Sequence, residues 1–242
     1  PDKKIKSLCP FCGVGCQTLV SVKDNSIMAV AGYEGPANEN RLCIKGRFGY
    51  DYISSPVRLK EPLIRITQKT KSWDLSIDEK NIYKYFRKAS WEEALNQASH
   101  NFSKILKNNE NALAGFGSAK GSNEEAYIFQ KLIRTGFQTN NVDHCTRLCH
   151  ASSVAALLQS VGSAAVTAPF TAVKDTECII LIGARPEQNH PVAASYFKQA
   201  VKNGSKLIIM DPRRQNLSRY ATHHLQFNPG QDLALLNAII HT

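Results

Sequence analysis

The chain carries near its start the stretch Cys9-Pro10-Phe11-Cys12-Gly13-Val14-Gly15-Cys16, and a fourth cysteine, Cys43, follows after 26 intervening residues. Three thiolates so close in sequence can face one point only on a tight loop, and Gly13 and Gly15 give the backbone the freedom for that turn. Structural zinc sites usually combine two short cysteine pairs or cysteine with histidine. A three-plus-one cysteine set is a common way of holding a [4Fe–4S] cluster. The spacing therefore favours an iron–sulfur cluster, with zinc as the alternative.

Lys45 lies two residues after Cys43 and places a cation beside this metal-binding set. Structural zinc explains the four cysteines but leaves Lys45 without a role beyond that of a solvated surface lysine. Disulfides are a weaker explanation, because seven cysteines is an odd count and a 242-residue chain can bury its own core.

The composition bounds the class of protein without naming a function. With 43% hydrophobic and 21% charged residues, the chain is long enough for one large domain or two small ones. Its apolar runs, such as residues 178–182, are too short to span a bilayer. The net charge of +10 suits nucleic acid, a polyanionic cofactor or an acidic partner. Because the cations are dispersed, we expect no nucleic-acid partner.

Both ends of the chain suggest a fragment. The sequence starts at Pro1 without an initiating methionine and stops just after the apolar stretch of residues 233–240. This stretch has the pattern of a helix whose packing partners lie further on. We therefore expect further residues beyond Thr242, and an upstream segment is not excluded.

The N-terminal pattern predicts a small β scaffold for the cysteine loop. Two β-like runs, Thr18 to Val22 and Ile27 to Ala31, flank a turn-rich tetrapeptide at residues 23–26 and predict a hairpin. The polar segment from Gln68 to Lys88 predicts a surface insertion whose aromatic residues pack locally. Ser90 and Glu93 predict a capping box for a helix that runs to about Asn108.

A strand, a glycine loop and a helix follow in that order. We predict the strand around Ala112 to Phe116, the loop at residues 117–123 and the helix from Glu124 to Gly136. This layout binds anions, because small residues let a phosphate approach the backbone, Lys120 adds charge and the helix start offers free N–H groups. The segment matches no P-loop pattern, so alone it is a weak indication of a phosphate-binding site.

The same layout recurs downstream. The pattern predicts a buried strand at residues 177–182, a helix at 192–202 and a second strand at 206–210, followed by Asp211-Pro212-Arg213. An acidic residue at the carboxyl end of a strand is typical of nucleotide sites in open α/β sheets. The unit lacks G-x-G-x-x-G, which disfavours a nicotinamide cofactor. Another nucleotide, or a crossover unit without a ligand, remains open.

Cys149 and His150 form the most reactive dipeptide of the chain. They lie just before a helical stretch at residues 152–161, whose positive end favours a thiolate, as a charged imidazole would. Cys145 lies four residues earlier, so a zinc pair or a redox pair is one interpretation. Two buried structural cysteines are the other.

Together these motifs resemble the molybdopterin oxidoreductase family related to dimethyl sulfoxide reductase, and within it the N-terminal part of molybdenum- or tungsten-dependent formate dehydrogenases. Three signatures occur in the family's order: the cysteine loop with Leu42-Cys43-Ile44-Lys45-Gly46-Arg47-Phe48-Gly49, the segment of residues 140–150, and the Asp211-Pro212-Arg213 strand end. The resemblance runs from Cys9 to the end of the chain.

The resemblance implies an α/β fold, with a small β-rich [4Fe–4S] domain at residues 1–57 and incomplete Rossmann-like αβα molybdopterin-binding domains at residues 58–242. It implies two cofactors, a [4Fe–4S] cluster and a molybdenum or tungsten bis(molybdopterin guanine dinucleotide). By resemblance, Cys9, Cys12, Cys16 and Cys43 hold the cluster, and Lys45 lies between cluster and pterin. Cys149 binds the molybdenum or tungsten, and His150 positions formate or takes the proton.

Contacts to the pterin nucleotides are also implied by resemblance. The matching positions are Lys120, Gly121, Asn189, Asp211, Pro212, Arg213, Gly230 and Asp232. Arg185 and Gln188 depart from the residues common in relatives, so no contact is assigned to them.

The implied activity is oxidation of formate to carbon dioxide, or the reverse, with electrons leaving past Lys45 to the cluster. The implied partners are electron-transfer subunits or domains that carry iron–sulfur centres, flavin with NAD, or ferredoxin. We expect a cytoplasmic protein without a membrane span, and a fragment that is inactive alone. The alternatives are a nitrate reductase, a non-catalytic electron-transfer subunit of the complex I type, and a zinc-binding nucleic-acid module.

Overall fold

The computed structural model describes residues 1–66, 76–109 and 111–242. The strands in chain order are β1 (Lys3–Leu8), β2 (Gln17–Lys23), β3 (Ser26–Gly32), β4 (Leu63–Arg65), β5 (Phe86–Lys88), β6 (Gly115–Gly117), β7 (Val142–His144), β8 (Cys178–Ile182), β9 (Lys206–Met210) and β10 (His223–Leu225). The α-helices are α1 (Ile44–Phe48), α2 (Trp91–Asn108), α3 (Asn123–Lys131), α4 (Thr146–Cys149), α5 (Ala151–Val161), α6 (Pro186–Asn189), α7 (Pro191–Lys202) and α8 (Asp232–His241). Within these ranges no helix combines the length and the apolar character needed to cross a membrane.

The chain divides into two compact units, residues 1–54 with 166–242, and residues 55–165. The first unit joins distant parts of the chain because Val14 and Cys16 of the cysteine loop share one core with Val192, Ala193 and Tyr196 of α7. The predicted domain boundary between residues 57 and 58 stays a prediction, since domains along the sequence and packing in space need not divide the chain in the same way.

An antiparallel sheet of order β1-β2-β3 opens the first unit. The predicted hairpin is present, and its turn residues Asp24 and Asn25 adopt φ values of 49° and 57°. This left-handed conformation at two successive residues is favoured in two-residue hairpin turns, where Asp and Asn tolerate it. Strand β1 was not predicted, because its sequence is lysine-rich and all six residues are exposed at the sheet edge.

A parallel sheet of order β10-β9-β8 lies in the same unit, and α7 provides the crossover between β8 and β9. Strand β9 begins and ends as predicted, and β8 begins one residue later than predicted. The core between sheet and helix contains Ile179, Ala200, Leu207, Ile209 and Leu217. Each buried Leu or Ile side chain contributes roughly 1.5–3 kcal/mol through removal of apolar surface from water. The predicted Rossmann-like arrangement is confirmed here.

In the second unit, α2 begins after Ser90, whose Oγ accepts a hydrogen bond from the Glu93 backbone N–H at 3.1 Å. The reciprocal half of the predicted capping box is absent, because the Glu93 carboxylate pairs with Arg87 instead. Helix α3 does carry a complete capping box, which Ser122 and Glu125 form. A π-helical turn at Leu132–Gly136 follows α3.

In place of the strand predicted at residues 112–116, the structure has the shorter β6, which begins at Gly115. Ala112 belongs to a turn instead, because its N–H donates to the Asn109 carbonyl. Strand β6 pairs in parallel with β7. The predicted surface insertion at residues 68–88 falls partly on residues 67–75, which lie outside the described ranges. Its last three residues form β5, which pairs with β4 in an antiparallel ladder and has two of its three residues exposed.

Candidate functional site

The four cysteines of the N-terminal motif line one cavity of about 180 Å³ in the first unit. Besides Cys9, Cys12, Cys16 and Cys43, its walls include Lys45, Gln188, Asn189 and Val192. The structure therefore brings the predicted cluster ligands together and places Lys45 with them. It also places Asn189, predicted as a nucleotide contact, on the wall of the same cavity.

Strands β1 and β2 and helix α1 position these cysteines. The loop leaves β1 and re-enters β2, and it is closed by a hydrogen bond from the Cys9 N–H to the Cys16 carbonyl at 2.9 Å. Gly15 has a φ of 72°, in the left-handed region where a side chain is strained. Cys43 is the N-cap residue of α1, with extended backbone. A tight loop and a helix start thus meet around one cavity.

Asn38 connects the two cysteine segments, a role that was not predicted from the sequence. Its side chain is fully buried. Its Oδ1 accepts from the Gln17 N–H at 2.9 Å, and its Nδ2 donates to the carbonyls of Gln17 at 3.0 Å, Tyr33 at 3.3 Å and Arg41 at 2.9 Å. These bonds join the start of β2 to the residues just before Cys43. Only the fold could reveal them, because Gln17 is 21 residues away.

A second set of residues beneath the cysteine loop also went unpredicted. The Arg41 guanidinium lies 4.0 Å from the centroid of the Tyr196 ring, and the Lys174 ammonium lies 5.1 Å from the same centroid. Lys174 also pairs with Glu39. Burial raises the pKa of Tyr196, whose side chain shares the core of Cys16. Cation–π contacts of this kind are stronger when they are removed from water.

The thiols of the cavity resist ionisation when no metal compensates their charge. Burial, followed by repulsion from the three neighbouring cysteine thiols, raises the pKa of Cys16 to about 11. Burial is also the main cause of the raised pKa of Cys9. Thiolates are the form that binds metal, so a strongly positive centre is needed to hold four of them here.

The arrangement fits an iron–sulfur cluster better than a single ion. A zinc ion needs its sulfur ligands about 2.3 Å from one point. The four cysteines line a cavity of about 180 Å³, which leaves room between them for a cluster of several irons.

The predicted nucleotide edge forms where β8 and β9 end. Asp211 is buried, and its carboxylate accepts from the Arg213 N–H at 2.8 Å and from Gln215 Nε2 at 3.3 Å. Gln215 Nε2 also donates to the Ala184 carbonyl at 3.0 Å, so it joins the loops that follow the two strands. Asp211 thus orders this edge through internal bonds. Gln215, which the sequence did not single out, is a second buried organiser.

Several buried polar atoms at this edge have no hydrogen-bond partner among the described residues. They are Arg185 Nε, both carboxylate oxygens of Glu187 and Gln215 Oε1. Buried polar groups are nearly always paired in native proteins, so their unmet bonding capacity fits a polar ligand such as the pterin nucleotide. The next predicted contacts lie further along the chain, with Gly230 in a left-handed conformation and Asp232 as the first residue of α8.

A larger cavity, of about 640 Å³, lies in the second unit between β6, β7 and α3. Lys120 and Gly121 line it, as do the charged side chains of Arg134 and Glu125. The strand–loop–helix prediction is therefore realised as a cavity. The start of α3 is less open than predicted, because Glu125 and Ser122 already accept the N–H groups of the capping box.

Cys149 is the last residue of α4, and His150 separates it from α5. Both side chains are exposed, as is Cys145, so the interpretation of Cys145 and Cys149 as buried structural cysteines is wrong. Helix α5 begins one residue earlier than predicted. Cys149 and His150 therefore lie immediately before its N-terminus, with the Cys149 thiol free to take a ligand.

Comparison with known proteins agrees with this arrangement. Residues 2–55 match the family model described as molybdopterin oxidoreductase Fe4S4 domain, and residues 58–242 match the model described as molybdopterin oxidoreductase. Among curated proteins, F420-dependent formate dehydrogenase 1 subunit alpha from Methanococcus maripaludis is 37% identical over 238 residues, which are 98% of this chain and 32% of the relative. Formate dehydrogenase H from Escherichia coli is 35% identical over 245 residues, covering 99% and 32% respectively.

Among solved structures, acetylene hydratase from Pelobacter acetylenicus has a TM-score of 0.74 at 20% identity, over 99% of this chain and 32% of its own. This likeness concerns the fold alone. The chain spans about a third of the length of these relatives. The family matches assign a [4Fe–4S] cluster and a molybdopterin as its cofactors. From the two family models, which together extend over residues 2–55 and 58–242, we conclude that the chain belongs to the molybdopterin oxidoreductase family.

Proposed function

We propose that the chain is the N-terminal part of the catalytic subunit of a formate dehydrogenase, which oxidises formate to carbon dioxide or catalyses the reverse reaction. The observation that carries this proposal is the exposed Cys149–His150 pair at the start of α5. It places a soft metal ligand next to a group that can accept a proton. Relatives that are 35–37% identical over nearly the whole chain carry the name formate dehydrogenase.

In the proposed reaction, formate becomes carbon dioxide by losing two electrons and one proton. A molybdenum or tungsten bis(molybdopterin guanine dinucleotide), when bound, supplies the acceptor for the two electrons. Cys149 would hold the metal through its sulfur, just before the start of α5. His150 would hold formate in place or take the proton on an imidazole nitrogen.

The nucleotide parts of the cofactor are proposed to bind at the β8–β9 edge of the first unit and at the larger cavity of the second unit. At the β8–β9 edge, Asp211, Pro212, Arg213 and the unpaired atoms of Arg185 and Glu187 offer donors and acceptors. In the second unit, Lys120 and Gly121 offer a cation and an open backbone at the cavity.

Electrons are proposed to leave through the cluster cavity. Lys45 lies on its wall with the four cysteines, so its ammonium group offsets part of the negative charge of a cluster held by four thiolates. Partner subunits or domains with iron–sulfur centres, flavin with NAD, or ferredoxin would then receive the electrons. A cytoplasmic location is part of the same proposal.

The test uses the full-length protein, purified without oxygen, and compares Cys149→Ala with Cys178→Ala. Cys178 is also exposed but opens β8, away from any proposed ligand. We expect the Cys149 variant to fall below about 1% of wild-type formate oxidation, because even the loss of a residue behind a metal ligand costs roughly 10- to 100-fold. The control should stay within about twofold of wild type.

Metal analysis and substrate tests complete this experiment. We expect molybdenum or tungsten in the wild-type protein and unchanged iron in both variants, because the iron ligands are other cysteines. Normal formate oxidation by Cys149→Ala would refute the assignment. Nitrate reduction in place of formate oxidation would select a nitrate reductase, and a protein with iron but no molybdenum or tungsten would select an electron-transfer subunit.

A further inference from the structure

His144 ends β7 and lines the larger cavity of the second unit, two residues before the helix that carries Cys149. In the β6–β7 ladder it pairs with Gly117. A methyl group added to Gly117 would come within 3.1 Å of His144 Cδ2, so the imidazole packs where the neighbouring strand has no side chain. The ring is therefore held against β6 by sterics.

Hydrogen bonds fix the ring from the other side. Nδ1 of His144 accepts the Thr146 backbone N–H at 3.1 Å, and the Thr146 hydroxyl lies 2.7 Å from the same nitrogen. A nitrogen that accepts an N–H carries no proton of its own, so the neutral ring holds its proton on Nε2. Thr146 is the first residue of α4, and the first N–H groups of a helix lack partners within the helix. His144 supplies the missing acceptor.

Asp143 holds the same turn through its own carboxylate. It accepts the His144 backbone N–H at 2.8 Å and the Arg147 Nε–H at 3.0 Å. These bonds lower the pKa of Asp143, with the His144 N–H as the largest cause. Within α4, the Cys149 N–H donates to the Cys145 carbonyl at 3.1 Å. A continuous set of bonds therefore runs from the end of β7 to Cys149.

We propose that His144 is a positioning residue for Cys149. Its Nδ1 fixes the first peptide of α4, and this short helix then determines where the Cys149 thiol lies. Because α4 has only four residues and Cys149 is exposed, no core packing holds the thiol in place. The inference rests on the proposed function, in which Cys149 binds the molybdenum or tungsten.

Two variants of His144 separate this role from simple packing. In His144→Asn the side-chain oxygen can take the place of Nδ1 and still accept the Thr146 N–H. In His144→Gln the longer side chain brings its amide to the place of Nε2 and leaves that N–H without an acceptor. The two side chains are alike in polarity, so only the position of the acceptor differs.

The first measurement is hydrogen exchange of the amides of residues 146–150 in the full-length protein. We expect exchange about five- to tenfold faster in His144→Gln, as follows from the loss of one hydrogen bond, and within about twofold of wild type in His144→Asn. Gly117→Ala keeps the histidine and adds a methyl group against its ring. It should displace the ring and give an intermediate increase in exchange.

The second measurement is the electron paramagnetic resonance spectrum of the reduced molybdenum or tungsten in the loaded enzyme. We expect one wild-type-like signal in His144→Asn and a heterogeneous signal in His144→Gln, with kcat reduced about 10- to 100-fold as for other residues behind a metal ligand. Rescue by asparagine is the result that a purely structural histidine would not give.

The outcomes separate this inference from the proposed function. Equal exchange in wild type, His144→Gln and His144→Asn would overturn it, whatever the metal content. Equal damage in both variants would also overturn it, because the acceptor position would then not matter. A wild-type enzyme without molybdenum or tungsten would reject the proposed function, and the exchange difference would still show whether His144 fixes the turn.

Discussion

The cysteine loop of residues 9–16 and the turn that carries Cys149 hold the same chemical group in opposite surroundings. The loop packs into a core with α7, and the buried side chain of Asn38 fastens it with four hydrogen bonds. The Cys149 turn is exposed and depends on a few local hydrogen bonds from Asp143 and His144. The cluster cysteines thus lie in and against a core, whereas the turn that carries Cys149 is held mainly by local hydrogen bonds.

The largest expected effect concerns Asn38. Asn38→Ala removes four hydrogen bonds and leaves buried backbone groups unpaired, which should cost about 4 kcal/mol of unfolding free energy. The variant should also lose most of its iron, because the loop and Cys43 are no longer tied together. Urea unfolding and iron analysis of the full-length protein measure both effects.

Asn38→Asp is the comparison variant for this change, since it keeps an oxygen acceptor for the Gln17 N–H but turns a second oxygen toward the carbonyls of Gln17, Tyr33 and Arg41. Because oxygens that repel each other replace the hydrogen bonds, we expect a loss of iron and stability at least as large as in Asn38→Ala. Wild-type iron content in Asn38→Ala would show that the cysteine loop does not depend on this residue, and the contrast between the two regions would fail.

The second prediction uses the pKa of Cys16, which is raised from 9.0 to about 11. A thiol whose pKa is higher in the folded state stabilises the fold fully below pH 9 and loses this contribution as the pH rises to 11. A two-unit shift corresponds to about 2.7 kcal/mol, which solvent screening reduces, so cluster-free protein should lose about 1–2 kcal/mol of unfolding free energy between these pH values. Urea unfolding at a series of pH values measures the slope. Cys16→Ala should flatten it, and an unchanged slope would contradict the prediction.

A smaller effect is expected from the glycines of the cysteine loop. Gly15→Ala puts a side chain on a residue with a φ of 72°, which costs about 1–2 kcal/mol. Gly13 offers a matched control, because its φ is not positive and a methyl group at either glycine would meet nothing within 4 Å. Thermal unfolding of Gly15→Ala and Gly13→Ala compares them. Equal melting temperatures would mean that the loop relaxes and is not held in place by its core.

The smallest effect is expected at the exposed turn. Asp143→Asn weakens the pair with Arg147, whose side chain is 70% exposed, and surface pairs contribute little. Hydrogen exchange of residues 146–150 should rise by no more than about threefold, less than in His144→Gln. A larger rise would mean that Asp143, and not His144, is the main support of α4.

Local signals explain which parts the sequence predicted. The hairpin turn at residues 23–26, strand β9 and the cysteine spacing each depend on neighbouring residues, and each was predicted nearly as observed. The roles of Asn38 and Gln215 were not predictable, because their hydrogen bonds reach across 21 and 31 residues. Of the capping box predicted at Ser90, only the hydrogen bond from the Glu93 N–H to the Ser90 hydroxyl forms, because the Glu93 carboxylate pairs with Arg87.

The core shared by Val14, Cys16 and α7 also bears on biosynthesis. The residues of α7 that complete this core follow the cysteine loop by about 180 positions in the sequence. One of them, Val192, also lies on the cavity wall. At roughly 5–20 residues per second, a ribosome needs on the order of ten to forty seconds to add them. During that interval the core that buries Cys16 lacks its α7 residues. Iron is thus best delivered after this stretch has been synthesised, although its first ligands are among the earliest residues made.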